Sequence, residues 1–237
     1  MRAGPTLPRL VPWVGVLPEP SQGSWRRAPG PDQMRTGARS LLLRQAQAWQ
    51  GQFADSPLPC PFREAADFAQ DQRGAPIGLQ GWHWSVSHSS GWCAALLAPT
   101  AALGLDVELA ARRLSPTVIA RLRPLLRPGA EPTEPQDWLD LWVRLEAGLK
   151  LSGEGLGLLA KIAADAPDAR GRQRLHWPGG TALTRAVRVG PLVIAAAALD
   201  DFELEPWSAP VAWLLPPPPV LDSESRAPLR QSRPPSP

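Results

Sequence analysis

Apolar positions along this chain repeat in two ways. Between Gly37 and Gln52, the residues Leu41, Leu42, Gln45, Ala48 and Trp49 recur at helical spacing, with Arg39 and Arg44 turned elsewhere. That pattern predicts an opening helix. A loop with Pro57, Pro59 and Pro61 follows, then a second helix over 62–72 and a turn at Gly74-Ala75-Pro76. Beyond the turn the period becomes two. Trp82, Trp84 and Val86 alternate with His83, Ser85 and Ser87, which predicts a strand. Trp92 to Leu97 is apolar almost throughout and reads as a central strand, and Leu103 to Glu108 as a third.

The order then recurs. Ser115 to Leu126 predicts a helix stopped by Pro128-Gly129. Asp137 to Leu151 predicts a stronger one, with Trp138, Leu141, Trp142, Leu145 and Leu149 on one stripe, ended by Gly153 and Gly155. Strands are expected at Arg174–Trp177, Leu183–Val189 and Leu192–Leu199. Helices then strands, twice over, predict an α+β fold in two similar halves, 35–103 and 104–207. The ends differ. Residues 1–34 are rich in Pro, Gly and Arg without a period, so a flexible segment is expected there. Residues 208–237 include Pro216-Pro217-Pro218-Pro219 and read as a disordered tail.

Composition narrows the picture. With 237 residues and 43% apolar content, the chain can bury a real core in one domain or two small halves. No apolar run approaches the roughly 18–20 residues of a membrane span. Pro5, Pro8 and Pro12 interrupt the apolar start, so a cytoplasmic protein is expected. Cys60 and Cys93 form neither a disulfide framework nor a metal spacing. A net charge of +3 is mild, and no nucleic-acid module is recognisable, so no nucleic-acid partner is expected. Lys150 and Lys161 are the only two lysines among 25 basic residues.

Three small groups could carry chemistry. Asp106 and Glu108 are two apart on a predicted strand and share a face. They are either solvated acids at a strand end or a pair that needs a cation between them; oxygen ligands alone favour Mg²⁺. Glu146 and Lys150 are four apart on the strong helix. They are either an ordinary helix pair or a metal ligand or base beside a phosphate-binding ammonium. Ser87-His88-Ser89-Ser90 is a polar knot at a strand end, where His88 either bonds nearby backbone or meets an anion.

Taken in order, these segments resemble the 4′-phosphopantetheinyl transferase superfamily, in its long, Sfp-type branch. Trp84-Ser85-Val86-Ser87-His88-Ser89 is similar to the family's Asn/Ser-hydrophobic-Ser-His-Ser strand end. Gly104-Leu105-Asp106-Val107-Glu108 is similar to Gly-Ile-Asp-Ile-Glu. Trp142 to Lys150 resembles Trp-x-x-Lys-Glu-Ala-x-x-Lys, followed by Gly153-Glu154-Gly155-Leu156. The likeness covers about 35–200.

The resemblance implies a monomer of two pseudo-twofold-related halves, each a small antiparallel-type sheet packed with helices. Coenzyme A would lie in the cleft between them. The expected reaction moves the phosphopantetheine arm of coenzyme A to a serine of an acyl or peptidyl carrier protein and releases 3′,5′-ADP. Asp106, Glu108 and Glu146 would hold Mg²⁺, Glu146 would draw the serine proton, and Lys150 would meet phosphate. Ser87 and His88 would contact the coenzyme A phosphates, with His88 also aiding catalysis. The alternative is a non-catalytic relative that binds coenzyme A or a carrier. Two family lysines are replaced, by Leu145 and Ala75; Arg35, Arg39 and Arg73 are the basic residues expected to serve the phosphates instead.

Overall fold

A computed structural model describes residues 9–10, 13–16, 30–52, 59–100, 102–204 and 207–208. The elements run β1 (Arg9–Leu10), β2 (Trp13–Val16), α1 (Pro31–Gln52), β3 (His83–Ser89), β4 (Trp92–Ala98), β5 (Leu103–Leu109), α2 (Pro116–Leu122) and α3 (Pro135–Ser152). Then come β6 (Ala163–Ala164), β7 (Arg172–Trp177), β8 (Gly180–Val189), β9 (Leu192–Ala198), β10 (Glu203–Leu204) and β11 (Trp207–Ser208). Short 3-10 helices cover Ala65–Asp67, Arg123–Leu125 and Gly155–Lys161. The fold is α+β. One sheet has the order β11-β2-β4-β3, a second, antiparallel throughout, β5-β9-β8-β7-β6, and β1 pairs with β10. Among the described residues no helix is long and apolar enough to cross a membrane.

Four layers follow from the alternation of β4 and β9. On β4, Cys93, Ala95 and Leu97 face Leu41, Leu42 and Ala46 of α1. Its alternate residues Ala94, Leu96 and Ala98 face the other way, onto Leu103, Leu105, Ile194 and Ala196 of the second sheet. On β9, Val193, Ala195 and Ala197 meet Leu139, Val143 and Ala147 of α3. Strands covered on both faces have no polar positions to offer, so both read as continuous apolar runs. The second stripe of α3, Trp138, Leu141, Leu145 and Leu149, packs on Leu122, Leu125, Ile162 and Leu175.

Gly104 fixes how closely α3 lies on the second sheet. A Cβ there would fall within 2.7 Å of Leu151 N and closer still to the Ala147 carbonyl, so only glycine allows the helix to lie on β5. The helix starts at Pro135 behind a Glu134–Asp137 capping box and ends at Gly153, whose φ of 71° provides the left-handed cap.

Two expectations change. The helix expected over 62–72 is a single 3-10 turn. Asp67 Oδ2 accepts from the Arg63 and Glu64 N–H groups, and Asp71 Oδ1 from those of Arg73 and Ala75, so local carboxylates take the donors a helix would use. Within 1–34, expected to be flexible, β2 pairs antiparallel with β4, β1 pairs with β10, and α1 begins at Pro31. Two-to-four-residue strands are too short to show a period, and their partners are remote in sequence. The rest of 1–29, and 209–237, lie outside the described residues.

Candidate functional site

The two sheets meet along β3 and β5, and the seam is made by serine hydroxyls. On β3, Trp84 and Val86 face α1, which turns Ser85, Ser87 and Ser89 toward β5. Leu105 N–H donates to Ser85 Oγ at 3.0 Å, and Val107 N–H to Ser87 Oγ at 3.3 Å. Ser87 Oγ donates to Asp106 Oδ1, and Ser89 Oγ to Glu108 Oε2, each at 2.7 Å. The partners advance together along both strands, so the seam runs parallel and satisfies edge donors of β5 that β9 does not reach.

Alternation on β5 sends Leu103, Leu105 and Val107 into the core between the sheets. Gly104, Asp106 and Glu108 take the other face, beneath the C-terminal turns of α3. Lys150 reaches across the seam from α3, donating to Asp106 Oδ1 at 2.8 Å and to the Val86 carbonyl at 3.3 Å. Asp106 is 6% exposed, and its Oδ2 is buried with no hydrogen-bond partner. A buried carboxylate oxygen left unmet is costly, and a cation would satisfy it.

Glu146, one turn before Lys150, is half-buried and makes no hydrogen bond among the described residues. Burial raises its pKa from the ordinary value; the nearby Asp106 charge adds to the rise, while Lys150 and Arg112 oppose it. Glu108 is held differently. Its Oε2 takes the Ser89 hydroxyl and its Oε1 takes Arg112, whose guanidinium also lies over the Trp142 ring, 5.9 Å from its centroid. Among the described residues no three His, Cys, Asp or Glu side chains already converge as a metal cage. The donor set still fits a hard divalent cation: Asp106 Oδ2 is unmet, Glu146 is unbonded, and Glu108 retains spare lone pairs.

His88 is exposed at the end of β3, on the α1 side. Lost hydration around the ring is the main cause of its lowered pKa; Lys150 and Arg35 add to it and Asp106 opposes. His88 thus feels the charges of Arg35, Lys150 and Asp106 together. Arg39 and Arg73 are a step away. Arg39 Nη2 donates to Gln70 Oε1 at 3.4 Å, and Gln70 Nε2 to the Gly74 carbonyl at 2.8 Å, which ties Arg39 to the turn carrying Arg73 and Ala75. That turn reaches the end of α3, where Ala75 Cβ lies 3.6 Å from the place a Gly153 Cβ would occupy.

All nine expected site residues are described; Ser87, Asp106, Glu108, Glu146 and Lys150 gather at the seam, and His88 lies on the α1 side of β3, where the charges of Arg35 and Lys150 act on it. Leu145 does not join them. It is fully buried among Leu122, Leu125 and Leu175, so its side chain belongs to the core beneath α3. Ser85 and Ser89 had no assigned role in the sequence reading, although their alternation with Ser87 was the signal for both; the hold of Arg112 on Glu108 was not read either. No protein-family model matches this chain, and no curated protein matches it.

Proposed function

We propose that this chain is a Mg²⁺-dependent 4′-phosphopantetheinyl transferase of the Sfp type, acting as a cytoplasmic monomer on coenzyme A and an acyl or peptidyl carrier protein. The observation that carries the proposal is the seam itself: the unmet Asp106 Oδ2 beside an unbonded Glu146 of raised pKa, with Lys150 between the halves. A surface helix pair would give Glu146 and Lys150 no reason to meet a buried aspartate from another element. The pseudo-twofold reading is supported by each half packing a long helix on a strand that is apolar on both faces.

Asp106, Glu108 and Glu146 would hold the Mg²⁺, which when bound withdraws charge from the pyrophosphate oxygens. The residues divide the remaining work. Glu146 accepts the proton of the carrier serine. The serine oxygen then bonds the phosphorus that carries the pantetheine arm, and the bond from that phosphorus to the bridging oxygen breaks. Lys150 and His88 face the phosphate charge that grows on the departing 3′,5′-ADP. Arg35, whose charge acts on His88, would serve the same anion, and Ser87 holds Asp106 in place. Leu145 lends nothing to a non-catalytic reading, because its position faces the core.

The test is the intact mass of an apo acyl carrier protein after incubation with this protein, coenzyme A and Mg²⁺, with an EDTA control. The expected result is a gain of one phosphopantetheine arm that EDTA abolishes. No gain over several apo carriers, with coenzyme A still bound, would reject the transferase.

A further inference from the structure

The far side of α3 carries a second desolvated charge. Arg144 lies two residues before Glu146, about 200° around the helix at roughly 100° per residue. It is 6% exposed and donates through Nη1 to the Thr184 carbonyl at 3.0 Å. That occupies one of its roughly five N–H donors. Among the described residues it has no salt bridge, and burial lowers its pKa to about 10.

Arg144 borders a cavity of about 230 Å³. Gln173, on β7 and 2% exposed, borders it too. Its Nε2 donates to the Asp165 carbonyl at 2.7 Å, which fixes the amide and leaves Oε1 buried without a donor. Unused donors of Arg144 and the unmet Gln173 Oε1 thus belong to two residues of the cavity wall.

The charge balance says what would use both. Glu131, Asp137, Asp140 and Arg144 line the cavity. Glu131 is paired with Arg123 at 2.9 Å and Asp140 with Arg188 at 2.6 Å. Asp137 has no ion pair, although its Oδ2 accepts the Glu134 N–H at 3.2 Å and caps α3; Arg144 has none either, although the charge of Asp140 acts on it. We propose that this cavity binds a small zwitterion, an aliphatic α-amino acid, with its carboxylate on Arg144 and its ammonium on Gln173 Oε1 and Asp137. Leu141 and Pro167 provide the apolar wall for its side chain. The volume far exceeds the roughly 10–15 Å³ that admits one water. It falls short of the roughly 300–1,000 Å³ of sites for drug-sized ligands. The site is separate from the seam and does not rest on the transferase reading.

Calorimetry on the full chain tests it with L-alanine, L-valine and L-leucine as probes. Isovalerate is valine without its ammonium, and isobutylamine is valine without its carboxylate. At least one of the three amino acids should bind, and valine should bind at least about tenfold tighter than either fragment. Gln173→Met should weaken that binding at least about fivefold while the far-ultraviolet circular dichroism stays unchanged. Arg144→Met should abolish it; if that variant does not fold, Arg144→Lys, which keeps the charge but not the planar fork, serves in its place. Isovalerate binding as tightly as valine would reduce the cavity to an anion site and overturn the proposal. So would an absence of heat from all three amino acids at millimolar concentration, which would leave a cavity holding water alone.

Discussion

β3 is joined to β4, and β5 to β9, by continuous backbone ladders over seven residue pairs each. β3 is joined to β5 by three serine side chains. The ladders run to β4 and β9, apolar strands covered on both faces. The seam holds charge: Asp106, Glu108 and Lys150 all take partners there. Backbone ladders leave no room for a ligand between strands, whereas a joint made by hydroxyls leaves carboxylates with spare lone pairs at its rim. The candidate chemistry sits at the joint because the joint is where the polar atoms are.

The strongest way to break the ladder side is Gly104→Ala. The new methyl meets the backbone of Ala147 and Leu151, which cannot rotate away, so α3 must lift from β5. The expected cost is about 3 kcal/mol or more, beyond the usual overpacking range. At roughly 2–4 °C per kcal/mol, the thermal midpoint falls by about 6–12 °C. A midpoint within a degree or two of wild type would mean that α3 does not lie on β5 as described.

Leu145→Lys comes next. If position 145 faced the cleft, as the family pattern implies, this change would add a phosphate contact and raise transfer. Buried among Leu122, Leu125 and Leu175, a lysine must instead desolvate its ammonium or swing out and leave a hole. The expected loss is roughly 2–4 kcal/mol, read from urea unfolding, with no gain in transfer rate. A faster, equally stable variant would place residue 145 in the cleft and overturn the core assignment.

These two positions show what could be read in advance. The apolar stripe of α3 already placed Leu145 with Trp138, Leu141 and Leu149, and the structure keeps all four in one cluster. The strands β3, β4, β5 and β9 lie within two residues of their expected limits, because covered strands and alternating strands leave a clear period. Asp106, Glu108, Glu146 and Lys150 were legible as residue types at meaningful spacing. Spacing did not bring them together, and only the resemblance implied it for the three carboxylates, since the meeting depends on Gly104 letting α3 down onto β5, a non-local contact with no local period. The strands β1, β2, β10 and β11 were illegible for the same reason, and the turn at Asp67 and Asp71 was hidden because carboxylate caps imitate helix-starting residues.

On the seam side, Ser85→Ala and Ser89→Ala separate two kinds of serine. Ser85 accepts the buried N–H of Leu105, and its loss strands that donor at a cost of about 1–3 kcal/mol. Ser89 donates to a carboxylate that Arg112 still holds, so its loss should cost less than about 1 kcal/mol. Urea unfolding of both variants checks the order. Equal costs would mean that the hydroxyls do not stand in for a ladder.

The smallest effect is one of pH, and it sets stability against chemistry at Glu146. Its ordinary value is 4.5, and burial together with Asp106 raises it. Below the ordinary value the carboxyl is protonated in both folded and unfolded chains, so no penalty arises. As pH rises past it, the unfolded chain ionises first and the folded chain keeps its proton, so stability declines until the raised folded value is passed. Proton transfer to Glu146 needs the ionised form, and a cation held there favours it, so activity with Mg²⁺ should rise at lower pH than the interval in which metal-free stability falls. Glu146→Gln should flatten part of the stability decline between pH 4.5 and the raised value. A slope of the same sign will persist from Asp140, which its own burial raises. Thermal midpoints of the two proteins across that interval decide the matter. Parallel curves would mean that Glu146 ionises as freely folded as unfolded, and the seam would lose its candidate base.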